Sequence, residues 1–349
     1  MDTLHIDGRE IGPNHPPYII AELSANHNGS LENALQLIEI AKNAGADAVK
    51  LQTYTADTLT IDCDKEDFQI RGGLWDGNTL YKLYQQAYTP WEWHQALFEK
   101  AKELELTIFS SPFDYTAIEL LEELGTPAYK IASFEAIDLP LVEAAARTGK
   151  PLIISTGMAN EAEIQEAIDT ARNAGCTELA ILHCVSGYPS PAEQYNLRTI
   201  QDMQQRFDCT VGLSDHTIDN ITAVTSVAMG AAIIEKHFTL DRNGGGPDDS
   251  FSLEPEDLTA LCRDTKIAWQ ALGKVNYDLT DAEKGNLVFR RSLYAVKDIK
   301  AGEAITKDNV KSIRPGYGLA PKNLPDVLGQ YAKDDIERGT AIAWELLKQ

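Results

Sequence analysis

Eight short apolar runs alternate with amphipathic helical patterns between about residues 18 and 272, and this alternation constrains the fold more than any other feature. Eight strands, each followed by a helix, predict a (β/α)8 TIM barrel, an α/β fold. An open doubly wound sheet is the alternative, but the chain contains no G-x-G-x-x-G fingerprint for a dinucleotide. The predicted strands are 18–23, 48–52, 107–110, 128–131, 152–155, 179–184, 210–214 and 233–237.

The segments that flank or interrupt this alternation predict further elements. Asp7-Gly8 favours a β-hairpin ahead of the first strand, which we expect to close the floor of the barrel. The connection 53–89 is long, and it is either a substrate lid or a packed ornament. Beyond residue 272 the pattern becomes polar and then β-rich, with strand-like pieces at 292–296 and 341–344. We therefore predict a hairpin plus a barrel catalytic domain over 1–272, a linker over 273–287 and a small β-rich domain over 288–349.

The charge and the cysteines limit the partners and the compartment. The 349 residues include 31 basic and 53 acidic side chains, for a formal charge of -22. So acidic a chain argues against nucleic acids and anionic membranes as partners. The five cysteines form no C-x-x-C pair and favour free thiols in a reducing compartment. With a polar N-terminus and no apolar run of the roughly 20 residues of a membrane span, we expect a cytoplasmic protein.

Two histidines end two consecutive strand patterns. His216 closes the pattern 210–216, and His237 closes the pattern 231–237. Strands joined by one crossover helix are parallel neighbours in most folds, which would bring both imidazoles to the same rim. Two neutral imidazoles can hold a divalent cation and leave coordination positions open for a substrate. Alternatively, either histidine is a structural residue whose imidazole is hydrogen-bonded within the protein at a strand end.

Other polar side chains follow the strands at the rim where barrel enzymes place their catalytic groups. A lysine at the end of a buried strand, such as Lys50 or Lys130, needs an anionic partner. Together with short hydroxyl donors, two such lysines suit a phosphate or a carboxylate. The serines have an alternative role as helix caps. The strand-end set includes Glu22, Ser24, Lys50, Gln52, Ser111, Lys130, Ser133, Glu135, Ser155, Tyr188, Ser214 and Glu235.

The strand-end residues and the short motifs that contain them resemble those of the nonulosonate (sialic acid) synthase family. The tail, with Arg314-Pro315-Gly316, is similar to the antifreeze-like (SAF) domain of that family. Within the family the chain most resembles the branch that makes pseudaminic acid, because it carries Leu74-Trp75-Asp76-Gly77 and has Ser186 where the sialic acid branch has Asn. The other matching motifs include Ile20-Ala21-Glu22, Asn26-His27-Asn28-Gly29, Ala44-Gly45-Ala46-Asp47, Ser111-Pro112-Phe113, Tyr129-Lys130-Ile131-Ala132-Ser133, Ser155-Thr156-Gly157-Met158, Gly212-Leu213-Ser214-Asp215-His216, Glu235-Lys236-His237-Phe238 and Gly246-Pro247-Asp248.

The resemblance implies a reaction and an assembly. Phosphoenolpyruvate would condense with 2,4-diacetamido-2,4,6-trideoxy-L-altrose, giving pseudaminic acid and phosphate by C–O cleavage. The implied cofactor is Mn or Mg on His216 and His237. Arg314 would come from the partner protomer of a domain-swapped homodimer. The alternatives are an N-acetylneuraminate or legionaminate synthase, a metal-dependent aldolase and a sugar- or ice-binding protein.

The resemblance also implies a role for each site residue. The catalytic residues would be Glu22, Lys50, His216 and His237. Phosphoenolpyruvate would lie on Lys50, Ser111, Lys130, Ser133, Ser155 and Ser214. The N-acetylated amino sugar would lie on Gln52, Tyr188, Asp248 and Arg314.

Overall fold

The computed structural model describes residues 3–348, and it begins with the predicted hairpin. Strand β1 (Leu4–Ile6) pairs antiparallel with β2 (Arg9–Ile11). Asp7 and Gly8 lie between them with φ of 50° and 77°, the left-handed pair that a tight two-residue hairpin turn requires. The apolar side chains of the hairpin pack into one cluster with Tyr18, Ile20 and Phe109 of the barrel interior. The hairpin therefore covers the barrel floor, as predicted.

Eight parallel strands close into a barrel, which confirms the predicted fold class. Going round the barrel, the eighth strand lies beside the first, so the sheet has no free edge. Observed and predicted strands differ by two residues at most, the largest change being the extension of the third strand to Pro112. The strands are β3 (Tyr18–Glu22), β4 (Ala48–Thr53), β5 (Thr107–Pro112), β6 (Tyr129–Ile131), β7 (Leu152–Ser155), β8 (Leu179–Cys184), β9 (Thr210–Asp215) and β10 (Ile233–His237).

Several of the helices that follow the strands begin with a side-chain cap. Ser30 accepts a hydrogen bond from the Asn33 amide and begins α1, while Gly45 ends it with φ of 93°. Asn160 and Glu163 form a capping box at the start of α7. The helices of this part are α1 (Leu31–Ala44), α2 (Ala56–Leu59), α3 (Leu80–Ala87), α4 (His94–Glu103), α5 (Tyr115–Glu123), α6 (Leu139–Arg147), α7 (Glu161–Asn173), α8 (Thr199–Phe207), α9 (Ile221–Ala228) and α10 (Pro255–Leu272).

The chain divides into two compact units after Gly273. The stretch 274–287 is exposed almost throughout and contains the short helix α11 (Asp281–Lys284). Of the two predicted strand pieces here, 341–344 is wrong, because Ala341 makes only an isolated bridge to Tyr294. A 3-10 turn then begins at Trp344. The other elements of the second unit are β11 (Ser292–Ala295), β12 (Val310–Ile313), α12 (Leu324–Val327), β13 (Tyr331–Ala332) and β14 (Leu347–Lys348).

The second unit has an apolar core of its own. Leu293, Ile305 and Ile342 are almost fully buried there and pack in one cluster with the side chains of Val310 and Ile336. Within residues 3–348, no helix has the length and the apolar character needed to cross a membrane.

Candidate active site

Four buried charged side chains meet inside the barrel at the carboxyl ends of its strands. Parallel pairing sets Glu22 of β3 beside Lys50 of β4. The Lys50 ammonium lies 2.7 Å from Glu22 Oε2 and 3.5 Å from Glu235 Oε1. The ammonium of Lys130 lies 3.6 Å from the same Glu235 oxygen. All four side chains are at least 94% buried, so each lysine has the anionic partner that its burial requires.

Burial and mutual charge set the protonation of this cluster. Burial raises the pKa of Glu22, and Lys50 only partly opposes that shift. Burial would also raise the pKa of Glu235, but Lys130 and Lys50 outweigh it and hold that pKa below its usual value. Burial lowers the pKa of Lys130, and Glu235 opposes the shift. Glu22 is therefore the carboxylate of the cluster that takes up a proton more readily.

Two of the predicted hydroxyl donors contact this cluster. Lys50 donates to Ser111 Oγ at 3.3 Å, and Ser214 Oγ lies 3.5 Å from Glu235 Oε1. Ser133 Oγ accepts from the Gly157 amide and lies 3.3 Å from Cys184 Sγ. Ser155 Oγ is buried and has no hydrogen-bond partner among residues 3–348. A buried hydroxyl without a partner is rare in folded proteins, and it marks Ser155 as a donor available to a ligand.

The two histidines are neighbours, as the strand order predicts. Their ring centroids lie 5.5 Å apart. His216 Nδ1 lies 2.8 Å from the Val185 carbonyl, which can only accept. That nitrogen therefore carries a proton, and Nε2 has a free lone pair once the ring is neutral. Burial lowers the pKa of His216, but its contacts with Cys184 and the Val185 carbonyl outweigh this and raise that pKa above its usual value.

His237 offers a neutral ring nitrogen. Burial keeps the pKa of His237 well below its usual value, so the imidazole is neutral at physiological pH. Its Nδ1 is buried without a hydrogen-bond partner in the described chain, and it lies 3.9 Å from Asp248 Oδ2. Two imidazoles in their neutral form fit a divalent cation. Within residues 3–348 no group of three or more His, Cys, Asp or Glu side chains has the arrangement of a metal site, so further ligands would come from substrate or water.

A buried ion pair holds the two histidine-bearing strand ends together from outside the barrel. Asp215 and Lys236 each precede one of the histidines, so strand alternation turns their side chains away from the lumen. Lys236 Nζ lies 2.9 Å from Asp215 Oδ2 and also donates to the backbone oxygens of Thr217 and Asp219 at 2.7 and 2.8 Å. One ammonium therefore joins β10 to the end of β9 and to the loop that follows His216.

Part of the long segment 53–89 lies against the predicted sugar-binding residues. Trp75 donates its indole N–H to the Pro247 carbonyl at 2.9 Å, and its ring lies 5.7 Å from that of Tyr188. Tyr188 in turn packs on His216 at 4.4 Å between ring centroids. Gln52 donates to Glu22 Oε1 at 2.8 Å. Gln52 therefore contacts the charged cluster, and Tyr188 contacts the histidine pair.

Arg314, the remaining sugar candidate, belongs to the second unit. Its guanidinium lies 5.9 Å from the centroid of the Phe289 ring, and the side chain is exposed.

Sequence reasoning gave no role to Glu135, which lies just after β6. Its Oε2 is buried without a hydrogen-bond partner within the part of the chain that the structure describes. Burial raises the pKa of Glu135 to about 7, although Lys130 opposes the shift. A carboxyl that titrates near neutrality suits general acid–base chemistry. Only its position directly after a barrel strand was available from sequence.

Glu135 should also make the stability of the protein depend on pH. Because its folded-state pKa is raised from 4.5 to about 7, the native state holds a proton that the unfolded chain releases. The free energy of unfolding should therefore fall as pH rises from about 4.5 to about 7, by up to about 3 kcal/mol. Urea unfolding at several pH values should show Glu135→Gln losing less stability than the wild type between about pH 5 and 8. Equal losses in both proteins would contradict the raised pKa.

Comparisons with known proteins agree with this geometry. The chain matches the NeuB family over residues 37–277 and the SAF domain over residues 290–348. It is 48% identical to the pseudaminic acid synthase of Campylobacter jejuni subsp. jejuni serotype O:23/36 (strain 81-176), over 93% of this chain and 95% of that protein. It is 44% identical to the pseudaminic acid synthase of Helicobacter pylori (strain ATCC 700392 / 26695), over 94% of this chain and 97% of that one.

A solved structure gives the same result. The N-acetylneuraminic acid (sialic acid) synthetase of Leptospira borgpetersenii serovar Hardjo-bovis superposes with a TM-score of 0.73 at 31% identity, covering 82% of this chain and 95% of that chain. The family predicted from the strand-end motifs is thereby confirmed. With its closed barrel, its buried lysine–glutamate cluster and its SAF match, the chain belongs to the NeuB family.

Proposed function

We propose that this chain condenses phosphoenolpyruvate with 2,4-diacetamido-2,4,6-trideoxy-L-altrose to give pseudaminic acid and phosphate. The observation that carries the proposal is the buried contact of Lys50 and Lys130 with Glu22 and Glu235 at the carboxyl end of the barrel. The names of the two relatives above supply the product. Residues 1–272 form the catalytic domain in this proposal, 273–287 the linker and 288–349 the SAF domain.

Phosphoenolpyruvate lies on the lysines and the serines in this proposal. The full set is Lys50, Ser111, Lys130, Ser133, Ser155 and Ser214. Both ammonium groups are buried, so their attraction for an anion is only weakly screened. Ser155 contributes a hydroxyl with no other partner among the described residues. When the anion binds, it shares these ammonium groups with the glutamates, which favours protonation of Glu22 because its pKa is already raised.

The reaction forms one carbon–carbon bond and one carbon–oxygen bond to water, and it breaks the carbon–oxygen bond to phosphate. C3 of phosphoenolpyruvate attacks the aldehyde carbon of the open-chain sugar, and C2 acquires cationic character. Water adds at C2, and the tetrahedral intermediate expels phosphate. Glu22 belongs to the charged cluster, and it is the group that stabilises the cation or transfers a proton. Lys50 and Lys130 hold the phosphate as its charge grows.

The metal proposal rests on the two imidazoles. His216 and His237 would hold Mn or Mg through their free ring nitrogens. When bound, such an ion supplies Lewis acidity at the aldehyde oxygen. Gln52, Tyr188 and Asp248 orient the sugar in this proposal, with Trp75 closing against Tyr188.

The experiment that tests the function is phosphate release with a panel of sugars. The trideoxy diacetamido altrose should give a clearly higher kcat/KM than its legionaminate-type epimer or N-acetylmannosamine. A preference for either of those sugars would move the chain to another branch of the family. Cleavage of the nine-carbon acid without phosphate would indicate an aldolase, and sugar or ice binding without turnover a binding protein. We place the reaction in the cytoplasm, which the five free cysteines support.

We also propose a domain-swapped homodimer in which the partner subunit's Arg314 completes the sugar site. Two observations support it. Large apolar side chains are exposed in loops after the barrel strands, including Phe134 at 54%, Ile137 at 62% and Met158 at 73%. In the second unit, Phe289 and Tyr317 near Arg314 are 58% and 68% exposed. Exposed apolar surface of this kind indicates a protein interface.

Complementation should reveal the swap. An Arg314→Ala protomer keeps its barrel, and a Glu22→Gln protomer keeps its arginine. Each homodimer should have little activity, whereas a mixed dimer should regain one complete site. Heterodimers purified through two different tags and assayed for phosphate release provide the measurement. Confirmed heterodimers without recovered activity would rule out the swapped arrangement.

A further inference from the structure

Ser24 has a backbone conformation that its side chain disfavours. It follows β3 in the chain, and its φ is 43°, in the left-handed region where a Cβ is unfavourable and glycine fits freely. The side chain is only 3% exposed. Such strained residues cluster at functional sites, where the surrounding contacts hold them in place.

The Ser24 hydroxyl supplies those contacts. Its Oγ donates to Asp248 Oδ2 and accepts from Gln52 Nε2 at 3.2 Å. Since a hydroxyl has one proton and Ser24 donates that proton to Asp248, a lone pair of Ser24 Oγ faces the N–H of Gln52. The other N–H of that amide is directed at Glu22 Oε1, 2.8 Å away.

These bonds decide which polar groups remain for a ligand. Both protons of the Gln52 amide are used inside the protein, so the amide offers its carbonyl oxygen, an acceptor. Asp248 accepts from Ser24 through Oδ2 and also has a backbone hydrogen bond from Ala25, and burial raises the pKa of this carboxyl to about 6. In its ionised form, Asp248 keeps acceptor capacity for a ligand. Glycine would allow the same turn but would leave both side chains without this bridge.

We propose that Ser24 is a positioning residue that sets sugar specificity by fixing Gln52 and Asp248 as two acceptors for hydroxyl or amide N–H donors of the sugar. The inference rests on the proposed function, since it takes these two side chains as sugar contacts. A site built from fixed acceptors discriminates strongly against a sugar that lacks a donor at the matching position, because a buried acceptor is then left unpaired.

The test is a pair of variants at Ser24, with steady-state kinetics and thermal unfolding. Ser24→Ala keeps the Cβ at the strained φ and removes the hydroxyl. It should raise KM for the trideoxy diacetamido sugar by about 10- to 100-fold, the cost of losing a hydrogen bond to a charged group. KM for phosphoenolpyruvate should change by less than about twofold. The ratio of kcat/KM for the trideoxy diacetamido sugar to kcat/KM for N-acetylmannosamine should fall as well.

Ser24→Gly should share the kinetic defect but unfold at a higher temperature than Ser24→Ala, because glycine relieves the strain. Glu105→Gly is the matched control, since Glu105 has φ of 52° in an exposed turn away from the site. It should change the unfolding temperature without changing either KM. A wild-type KM for the sugar in Ser24→Ala would overturn the inference, as would equal rises for both substrates. A wild-type protein that consumes no sugar of the panel would overturn the proposed function itself.

Discussion

Lys50→Met should abolish phosphoenolpyruvate binding and lower the free energy of unfolding by about 3–5 kcal/mol. Lys50 is 97% buried and is the nearest cation to Glu22, at 2.7 Å. Removing it leaves that carboxylate buried without its cation and deprives Glu235 of one of two ammonium partners. Breaking one side of a buried pair costs more than the pair itself contributes, because the remaining charge is uncompensated. Calorimetric titration with phosphoenolpyruvate and urea unfolding give the two measurements.

A second variant separates folding from binding. Glu22→Gln combined with Lys50→Met removes both charges and should recover much of the lost stability, while phosphoenolpyruvate binding stays absent. Lys150→Met is a matched control, because the Lys150–Glu122 pair has a contact of 2.6 Å but lies at the surface. It should cost only about 0.2–1 kcal/mol and leave binding unchanged. Wild-type binding in Lys50→Met would contradict the proposed anion site.

Chelation should abolish turnover, and Mn or Mg should restore it. His216→Ala and His237→Ala should each lose activity by several orders of magnitude, because each removes one of two proposed protein ligands. Mn²⁺ binding, monitored by electron paramagnetic resonance, provides a measurement that does not depend on activity. The wild type should bind about one ion per chain and each variant far more weakly.

Two controls accompany the metal prediction. Circular dichroism should show that both variants remain folded. His15→Ala, at a histidine next to the floor hairpin, should keep wild-type Mn²⁺ binding. Full turnover by protein shown to be metal-free would contradict the metal site.

The barrel was predictable because its strands carry a strong local pattern. Each strand is a compact apolar run, and each is followed by a helix with its own cap, as at Asn160. The 341–344 piece failed because an apolar run shows that a strand is possible but not which neighbour would pair with it. There, pairing stops at a single bridge from Ala341.

The site was predictable at the level of strand ends but not of contacts. His216 and His237 could be placed together because β9 and β10 follow each other in the chain and in the barrel. The Asp215–Lys236 pair was not predicted, although strand alternation places these two residues on the face opposite the histidines. The conformation of Ser24 and the burial of Glu135 depend on loop paths that one sequence does not reveal.

In the proposed reaction, this chain joins phosphoenolpyruvate to an amino sugar and cleaves the carbon–oxygen bond to phosphate. The most direct measurement uses phosphoenolpyruvate labelled with oxygen-18 at the bridging position, with the trideoxy diacetamido altrose as co-substrate. Mass spectrometry of both products should find the label in phosphate and a nine-carbon keto acid without it. Label retained in the keto acid, or phosphate released without a nine-carbon product, would contradict the account.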